Sequence, residues 1–296
     1  MSVERDQAKC EAVRRPGARP NPESLLAEAA KRLAAAGVES PRLDARLLMA
    51  EAKGDDSQFQ FFISRRAARE PLAYITGAKE FWSLNFEVGP GVLIPRPESE
   101  TIVEQVLEFF PDRTAPLAVL DLGTGTACLL VSLLMEYAKA GGLGIDASEQ
   151  AREYAQRNLV RHGLAARARI QAADWSAATG SYDVIVSNPP YIKSGEIAAL
   201  APEVAQYEPA LALDGGADGL AAYRALGPVL AHLLAPGGRA FLEIGAGQAG
   251  EVTAIVAGAG LETLRITPDL AGIERVVVAG RADPPEKTVG KARSNR

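Results

Sequence analysis

Asn188-Pro189-Pro190-Tyr191 follows directly on the apolar run Tyr182-Asp183-Val184-Ile185-Val186-Ser187. An asparagine carboxamide offers one acceptor oxygen and two donor hydrogens, and a tyrosine beside it adds a flat face. The paired prolines fix their own φ, lack N–H groups and push each preceding residue out of the helical region. The corner is therefore stiff and extended, able to hold Asn188 and nearby carbonyls in one pose. Together these groups suit a planar, NH2-bearing ligand held by its hydrogens and flanked by a ring. An ordinary tight turn after a strand would account for Asn-Pro alone. The second proline, the aromatic and a glycine loop upstream favour a binding corner.

The run that delivers the corner is short and β-branched, which predicts a buried strand. Ligands of open α/β sheets bind outside the carboxyl ends of the strands, where this corner sits. From Ala118 onward strands and helices alternate, predicting a doubly wound, mostly parallel seven-stranded sheet. The strands are expected at 118–122, 142–146, 168–172, 182–187, 239–244, 262–267 and 273–279. Helices are expected at 128–139, 149–162 (capped by Ser148), 218–234 (ended by Pro236-Gly237-Gly238) and 251–259, with a long Gly-rich loop over 193–217.

After the first strand comes Gly123-Thr124-Gly125-Thr126-Ala127, a turn in which backbone can approach a ligand closely before a helix starts. That helix start favours a negative group such as a carboxylate. Asp146 ends the next strand, where an acid accepts both hydroxyls of a ribose. Nicotinamide enzymes share this geometry, but position 128 is Cys where a dinucleotide loop has a third glycine. Asp174-Trp175 offers a carboxylate for an adenine amino group and a ring for its face; core packing is the competing reading of Trp175.

Upstream, Asn21-Pro22-Glu23 and Ser40-Pro41 read as helix starts. Leu25, Leu26, Ala29, Ala30 and Leu33 make one apolar face, and Leu43, Leu47 and Leu48 the next. A third helix over 57–68 turns Phe59, Phe62 and Ile63 inward, and a short fourth covers 71–75 before Gly77. These make a small helical-bundle domain, 21–77. Residues 78–97 form a β-hairpin linker, with its turn at Gly89-Pro90-Gly91 and a rigid connector, Ile94-Pro95-Arg96-Pro97. Ser99 or Glu98 caps the helix that runs to Phe110. The large domain spans 98–280, and the charged ends, 1–20 and 281–296, are expected to be disordered.

The chain has 296 residues, 47% hydrophobic and 23% charged, with a net charge of −5. An acidic total gives no global attraction to nucleic acid. The only cysteines, Cys10 and Cys128, and the only histidines, His162 and His232, show neither disulfide nor zinc spacing. No metal is expected. The start of the chain lacks a signal-peptide core, and no apolar run reaches membrane-spanning length. A soluble, cytoplasmic protein is the expectation.

Beyond the corner, several stretches carry a likeness: Arg69-Glu70-Pro71-Leu72-Ala73-Tyr74-Ile75-Thr76-Gly77, the connector extended through Pro97-Glu98-Ser99-Glu100, and Val119-Leu120-Asp121-Leu122-Gly123-Thr124-Gly125-Thr126. Glu208-Pro209-Ala210-Leu211-Ala212-Leu213 and Gly215-Gly216-Ala217-Asp218-Gly219-Leu220 add to it. With these, residues 25–278 resemble the glutamine-N5 methyltransferases of peptide chain release factors, the HemK family. The resemblance implies a Rossmann-like domain that uses S-adenosylmethionine (SAM) and a helical domain that helps hold the release factor. It assigns Gly123, Thr124, Gly125, Thr126, Ala127, Asp146, Trp175 and Asn188 to SAM. It assigns Asn188, Pro189, Pro190 and Tyr191 to the glutamine of a Gly-Gly-Gln loop and to catalysis, with Arg96 beside the substrate. The family loop commonly has glycine where this chain has Ala127, which a negative φ at a helix start would tolerate.

An amide nitrogen is a poor nucleophile. Two N–H bonds accepted by the Asn188 oxygen and the Pro189 carbonyl would raise its electron density and aim it, with Tyr191 fixing its plane. The same corner could hold an exocyclic amine of adenine or guanine, so a nucleic-acid amino methyltransferase stays open. A domain that binds SAM without reacting and a nicotinamide dehydrogenase fit the residues less well.

Overall fold

A computed structural model describes residues 21–281. The expected tails, 1–20 and 281–296, lie outside the described residues, Arg281 apart. The chain divides into two compact units after Arg69. The boundary thus precedes the short fourth helix, expected in the helical domain.

Among the described residues the first unit holds three helices, α1 (Pro22–Ala35), α2 (Pro41–Glu51) and α3 (Asp56–Ala67). Asn21 caps α1 by accepting the Glu23 N–H at 3.1 Å, and Pro22 occupies the first turn, where no N–H is needed. Ser40 stands at the N-cap of α2, at the expected helix start, but makes no side-chain cap bond, whereas Asp55 caps α3 through the Ser57 and Gln58 N–H groups. Ala29, Leu33, Ala45, Leu48, Phe59, Phe62 and Ile63 fill the core. The expected face of α2 is corrected: Leu48 is buried, but Leu43 and Leu47 are 52% and 44% exposed. Asp44 takes the inward position because Arg66 on α3 meets it at 2.7 Å, a buried pair that turns α2 about its axis.

The second unit begins with α4 (Leu72–Thr76), stopped by Gly77 at φ 73°. Strands β1 (Ala78–Phe81) and β2 (Leu84–Glu87) then form a hairpin. Its turn is Trp82-Ser83, not Gly89-Pro90-Gly91. Both turn residues have positive φ, 52° and 57°, as a two-residue primed turn demands. Nearby carboxylates hold that uncommon sequence in place. Glu80 accepts the Ser83 N–H at 2.6 Å, Glu100 the Trp82 N–H and Glu136 the Trp82 indole N–H, each at 2.8 Å.

The remaining elements are α5 (Glu100–Phe109), β3 (Ala118–Leu122), α6 (Cys128–Glu136), β4 (Gly141–Asp146), α7 (Glu149–Arg161), β5 (Ala168–Ala172), β6 (Tyr182–Ser187), α8 (Pro202–Tyr207), α9 (Ala221–Leu233), β7 (Leu234–Glu243), α10 (Ala249–Gly258), β8 (Glu262–Pro268) and β9 (Glu274–Gly280). The strands make one seven-stranded sheet in the order β5-β4-β3-β6-β7-β9-β8, antiparallel only where β9 pairs with β7 and β8. Alternate side chains of β3 point to opposite cores. Val119 packs with residues of α5, α6 and α7, whereas Leu120 and Leu122 pack with residues of α9 and α10. Chain order reverses between β3 and β6, so a crevice opens past their carboxyl ends.

Four further expectations change. The 193–217 stretch is not a plain loop: it carries α8, started by Pro202, between 3-10 turns at Ser194–Ala199 and Ala210–Ala212. Helix α9 starts at Ala221 instead of 218, because the Asp218 carboxylate accepts the Leu220 N–H around Gly219 at φ 78°. Pro236-Gly237-Gly238 lies inside β7, where the register against β6 slips, instead of before the strand. Neither Ser99 nor Glu98 caps α5 with its side chain.

Ala127 is the sharpest correction. It adopts φ 63° and ψ 24°, left-handed and fully buried, not the negative φ that would suit alanine. Its N–H bonds the Thr124 carbonyl at 2.7 Å and its carbonyl accepts the Val131 N–H, so the turn imposes the conformation from both sides. A left-handed residue with a Cβ costs about 1–2 kcal/mol. In Ala127→Gly, relief of that strain is offset by the lost methyl burial, and stability by urea unfolding should stay within about 1 kcal/mol of the parent. Ala127→Val, β-branched at positive φ, should lose more than about 2 kcal/mol. In the helical unit, Leu48→Ala should cost about 2–5 kcal/mol and Leu43→Ala less than about 0.5 kcal/mol by the same measurement.

Candidate active site

Parallel pairing aligns Val119 with Val184, Leu120 with Ile185 and Asp121 with Val186. The carboxyl ends of β3 and β6 therefore lie side by side. The Ser187 hydroxyl donates to the Leu122 carbonyl at 2.6 Å, tying the last residues of the two strands together. The glycine turn leaves one strand and the double-proline corner leaves the other, so both border a single cavity.

That cavity measures about 520 Å³. Gly123, Thr124, Gly125 and Thr126 line it from β3, Asp146 from β4, and Asp174 and Trp175 from the end of β5. Asn188 and Pro190 line it from the corner, and Arg96 and Ser99 from the connector. Pro189, Tyr191 and Ala127 are not among its lining residues.

The glycine turn is fixed by β4. Ile145 accepts the N–H groups of Gly123 and Thr124 at 2.9 and 3.0 Å, and Asp146 accepts the Gly125 N–H at 2.9 Å. Gly123 and Gly125 both have positive φ, 76° and 56°. A Cβ at Gly123 would sit 3.7 Å from the Trp175 ring, so the indole lies over bare backbone. Trp175 also packs against the core that Tyr223 and Leu226 help form; it is wall and core at once.

Asp146 uses one oxygen for Gly125 and the other for the Ser148 N–H at 2.9 Å, leaving lone pairs on both for a ligand. Burial raises its pKa, and those two N–H bonds pull it back. Asp121 lies beneath the turn with its carboxyl pushed up to about 7 by burial, one oxygen bonded to the Thr124 hydroxyl at 2.6 Å. Cys128 also lines the cavity, and burial pushes its thiol up to about 12, so it stays protonated as a small apolar wall.

The corner is held from behind. Tyr191 is half-buried, and its hydroxyl donates to Glu243 at 3.3 Å instead of facing the cavity. Burial and the adjacent Glu243 charge raise its pKa. Gln248 donates to the Tyr191 carbonyl at 3.0 Å and accepts the Gly245 N–H at 2.9 Å. The Asn188 NH2 donates to the Ser99 hydroxyl at 3.0 Å. Among the described residues no group donates to the Asn188 side-chain oxygen.

Arg96 is not simply solvated. It pairs at 2.5 Å with Glu208, whose other oxygen accepts the Ile94 N–H at 3.2 Å, so one buried carboxylate braces the connector. Sequence reasoning missed Ser99 as a site residue, and also Glu208, Glu243 and Gln248. Each partners the motif across more than 50 positions of sequence, where no local spacing signals it.

The methyltransferase small domain model matches residues 103–215, and the PrmC N-terminal domain model matches 24–57. The release factor glutamine methyltransferase of Caulobacter vibrioides is 42% identical over 83% of this chain and 92% of its own length. Its counterpart in Rhodospirillum rubrum is 44% identical over 87% of this chain and 84% of its own. A methyltransferase structure from Pyrococcus furiosus, 19% identical, covers 73% of this chain and 97% of its own at a TM-score of 0.50, a likeness of fold. With identity this high over nearly the whole of both sequences, the chain belongs to the release factor glutamine methyltransferase family.

Proposed function

We infer that the protein methylates the side-chain amide N5 of the glutamine in the Gly-Gly-Gln motif of peptide chain release factors, with SAM as donor. The observation that carries this reading is the Asn188 carboxamide. Its NH2 is committed to Ser99, and its acceptor oxygen stays open at a cavity shared with the glycine turn.

The cavity's donor set fits SAM. Asp146 retains acceptor lone pairs for ribose hydroxyls, Asp174 and Trp175 offer an acid and a ring to adenine, and the bare Gly123-Thr124-Gly125 backbone admits the methionine part. SAM bound there would supply an electrophilic methyl group to the amide nitrogen, with the C–S pair going to sulfur and an N–H proton to solvent. The protein's own part is orientation. Asn188 Oδ1 and the Pro189 carbonyl accept the two amide N–H bonds, which localises the nitrogen lone pair and aims it. Tyr191, anchored to Glu243, stiffens the corner from behind. The Arg96–Glu208 pair holds the connector as the opposite rim.

An amino methyltransferase of nucleic acid is the second reading, and the family relationship over nearly the whole chain favours the protein amide. No helix among the described residues is long and apolar enough to cross a membrane. The acidic total fits a cytoplasmic protein without a stable nucleic-acid partner, and the family likeness favours a monomer. Mass spectrometry of a release-factor peptide after incubation with SAM should find one added methyl on glutamine, and none should appear on RNA or DNA. Asn188→Ala should keep SAM affinity within about twofold while turnover falls roughly tenfold to a hundredfold. Equal loss of both would mark Asn188 as merely structural.

A further inference from the structure

Glu243 ends β7, fully buried behind the corner and outside the cavity's lining residues. Its Oε2 accepts the Ser99 hydroxyl at 2.5 Å, and its Oε1 accepts the Tyr191 hydroxyl. An ionised carboxylate has no hydrogen to give, so the single Ser99 proton is committed to it. Ser99 Oγ can then only accept from its other neighbour. The neighbour that supplies a hydrogen is the Asn188 NH2, at 3.0 Å. The donor direction along this chain, Asn188 to Ser99 to Glu243, dictates which way round the Asn188 carboxamide sits.

We propose that Glu243 is a positioning residue whose acceptor-only carboxylate, acting through Ser99, sets the orientation of the Asn188 carboxamide so that oxygen and not NH2 faces the cavity. This rests on the reading that Asn188 Oδ1 accepts from the substrate amide. With NH2 outward, Asn188 would present hydrogens to a substrate NH2 that itself has only hydrogens to offer. Orientation is then the difference between holding the nucleophile and repelling it.

The same geometry makes the site sensitive to protonation. Burial pushes the Glu243 carboxyl up to about 7, drawn back by the Ser99 bond, the Arg275 charge and the Tyr191 bond, and raised further by Glu98. Tyr223, whose hydroxyl bonds the Glu243 carbonyl at 2.9 Å, and Cys128 are the other titratable groups that feel its charge. Arg275 is shared with Asp269, at 3.1 Å. Because the folded pKa is raised, Glu243 gains a proton as pH falls through about 7. It can then donate to Ser99, and the Ser99 proton is free to turn to Asn188 Oδ1. Turnover should fall on the acidic side of that value.

Glu243→Gln is the decisive variant, since its oxygen can still accept from Tyr191 while its NH2 donates to Ser99 and reverses the chain. Turnover and KM on a release factor, with SAM affinity by calorimetry, are measured from about pH 5.5 to 8.5 for Glu243→Gln, Ser99→Ala, the double variant and Asn188→Ala. Glu243→Gln should lower kcat at least about tenfold with SAM affinity within about twofold, and should lose the acidic limb. Ser99→Ala, which cuts the relay, should lose only a few-fold and also flatten that limb. The double variant should match Ser99→Ala, because without the hydroxyl nothing drives the reversal. Wild-type kcat in Glu243→Gln, multiplied losses in the double variant, or an acidic limb that survives Ser99→Ala would overturn the proposal. Should Glu243→Gln fail to fold, the limb in Ser99→Ala decides alone. Undiminished turnover in Asn188→Ala would instead sink the acceptor role of Asn188, a separate failure.

Discussion

Parallel pairing of β3 with β6 is the constraint on which the site depends. Because the two strands run in register and Ser187 bonds the Leu122 carbonyl, their exits are neighbours. Residues more than 60 positions apart in sequence, Leu122 and Ser187, thus become the two lips of one crevice. Reversal of strand order at this point leaves the space past the strands uncovered by a crossover helix. The glycine turn and the proline corner are each rigid alone; the sheet makes them a pair.

Two buried carboxylates then convert rigidity into orientation. Glu208 holds Arg96 and the Ile94 N–H, and Glu243 holds Ser99 and Tyr191. A buried charge is costly unless its oxygens are occupied, and here both oxygens of each carboxylate are bonded. Such groups add little net stability compared with apolar packing. Their value is directional, because an ion that can only accept imposes a donor direction on every hydroxyl and amide beyond it. The unusual Trp82-Ser83 turn and the left-handed Ala127 follow the same logic, local strain held by partners elsewhere in the fold.

How much was legible depended on range. β5 and β6 run over 168–172 and 182–187, as their β-branched or alternating character indicates, and Ser148 caps α7 through the Ala151 N–H. Where several local signals agree, the backbone has one low-energy choice. The misread places are those with competing signals. Gly89-Pro90-Gly91 looks more turn-like than Trp82-Ser83, yet three carboxylates outweigh that preference. Leucines at helical spacing predict an inward face for α2, yet the Asp44–Arg66 pair rotates it. A helix start predicts negative φ at Ala127, and the Thr124 and Val131 bonds override it.

The sequence by itself determined the alternation of strands and helices, the glycine turn, the acid that ends β4 and the stiff corner after β6. Each is written in residues that touch their chain neighbours, so torsional preference and periodicity suffice to read it. Only the tertiary structure decided which way the Asn188 carboxamide faces, that Tyr191 turns back to Glu243, and that Arg96 is clasped by Glu208. Those outcomes hang on hydrogen bonds between residues far apart in the chain. Nothing in local spacing encodes them, because their partners meet only once the sheet has closed.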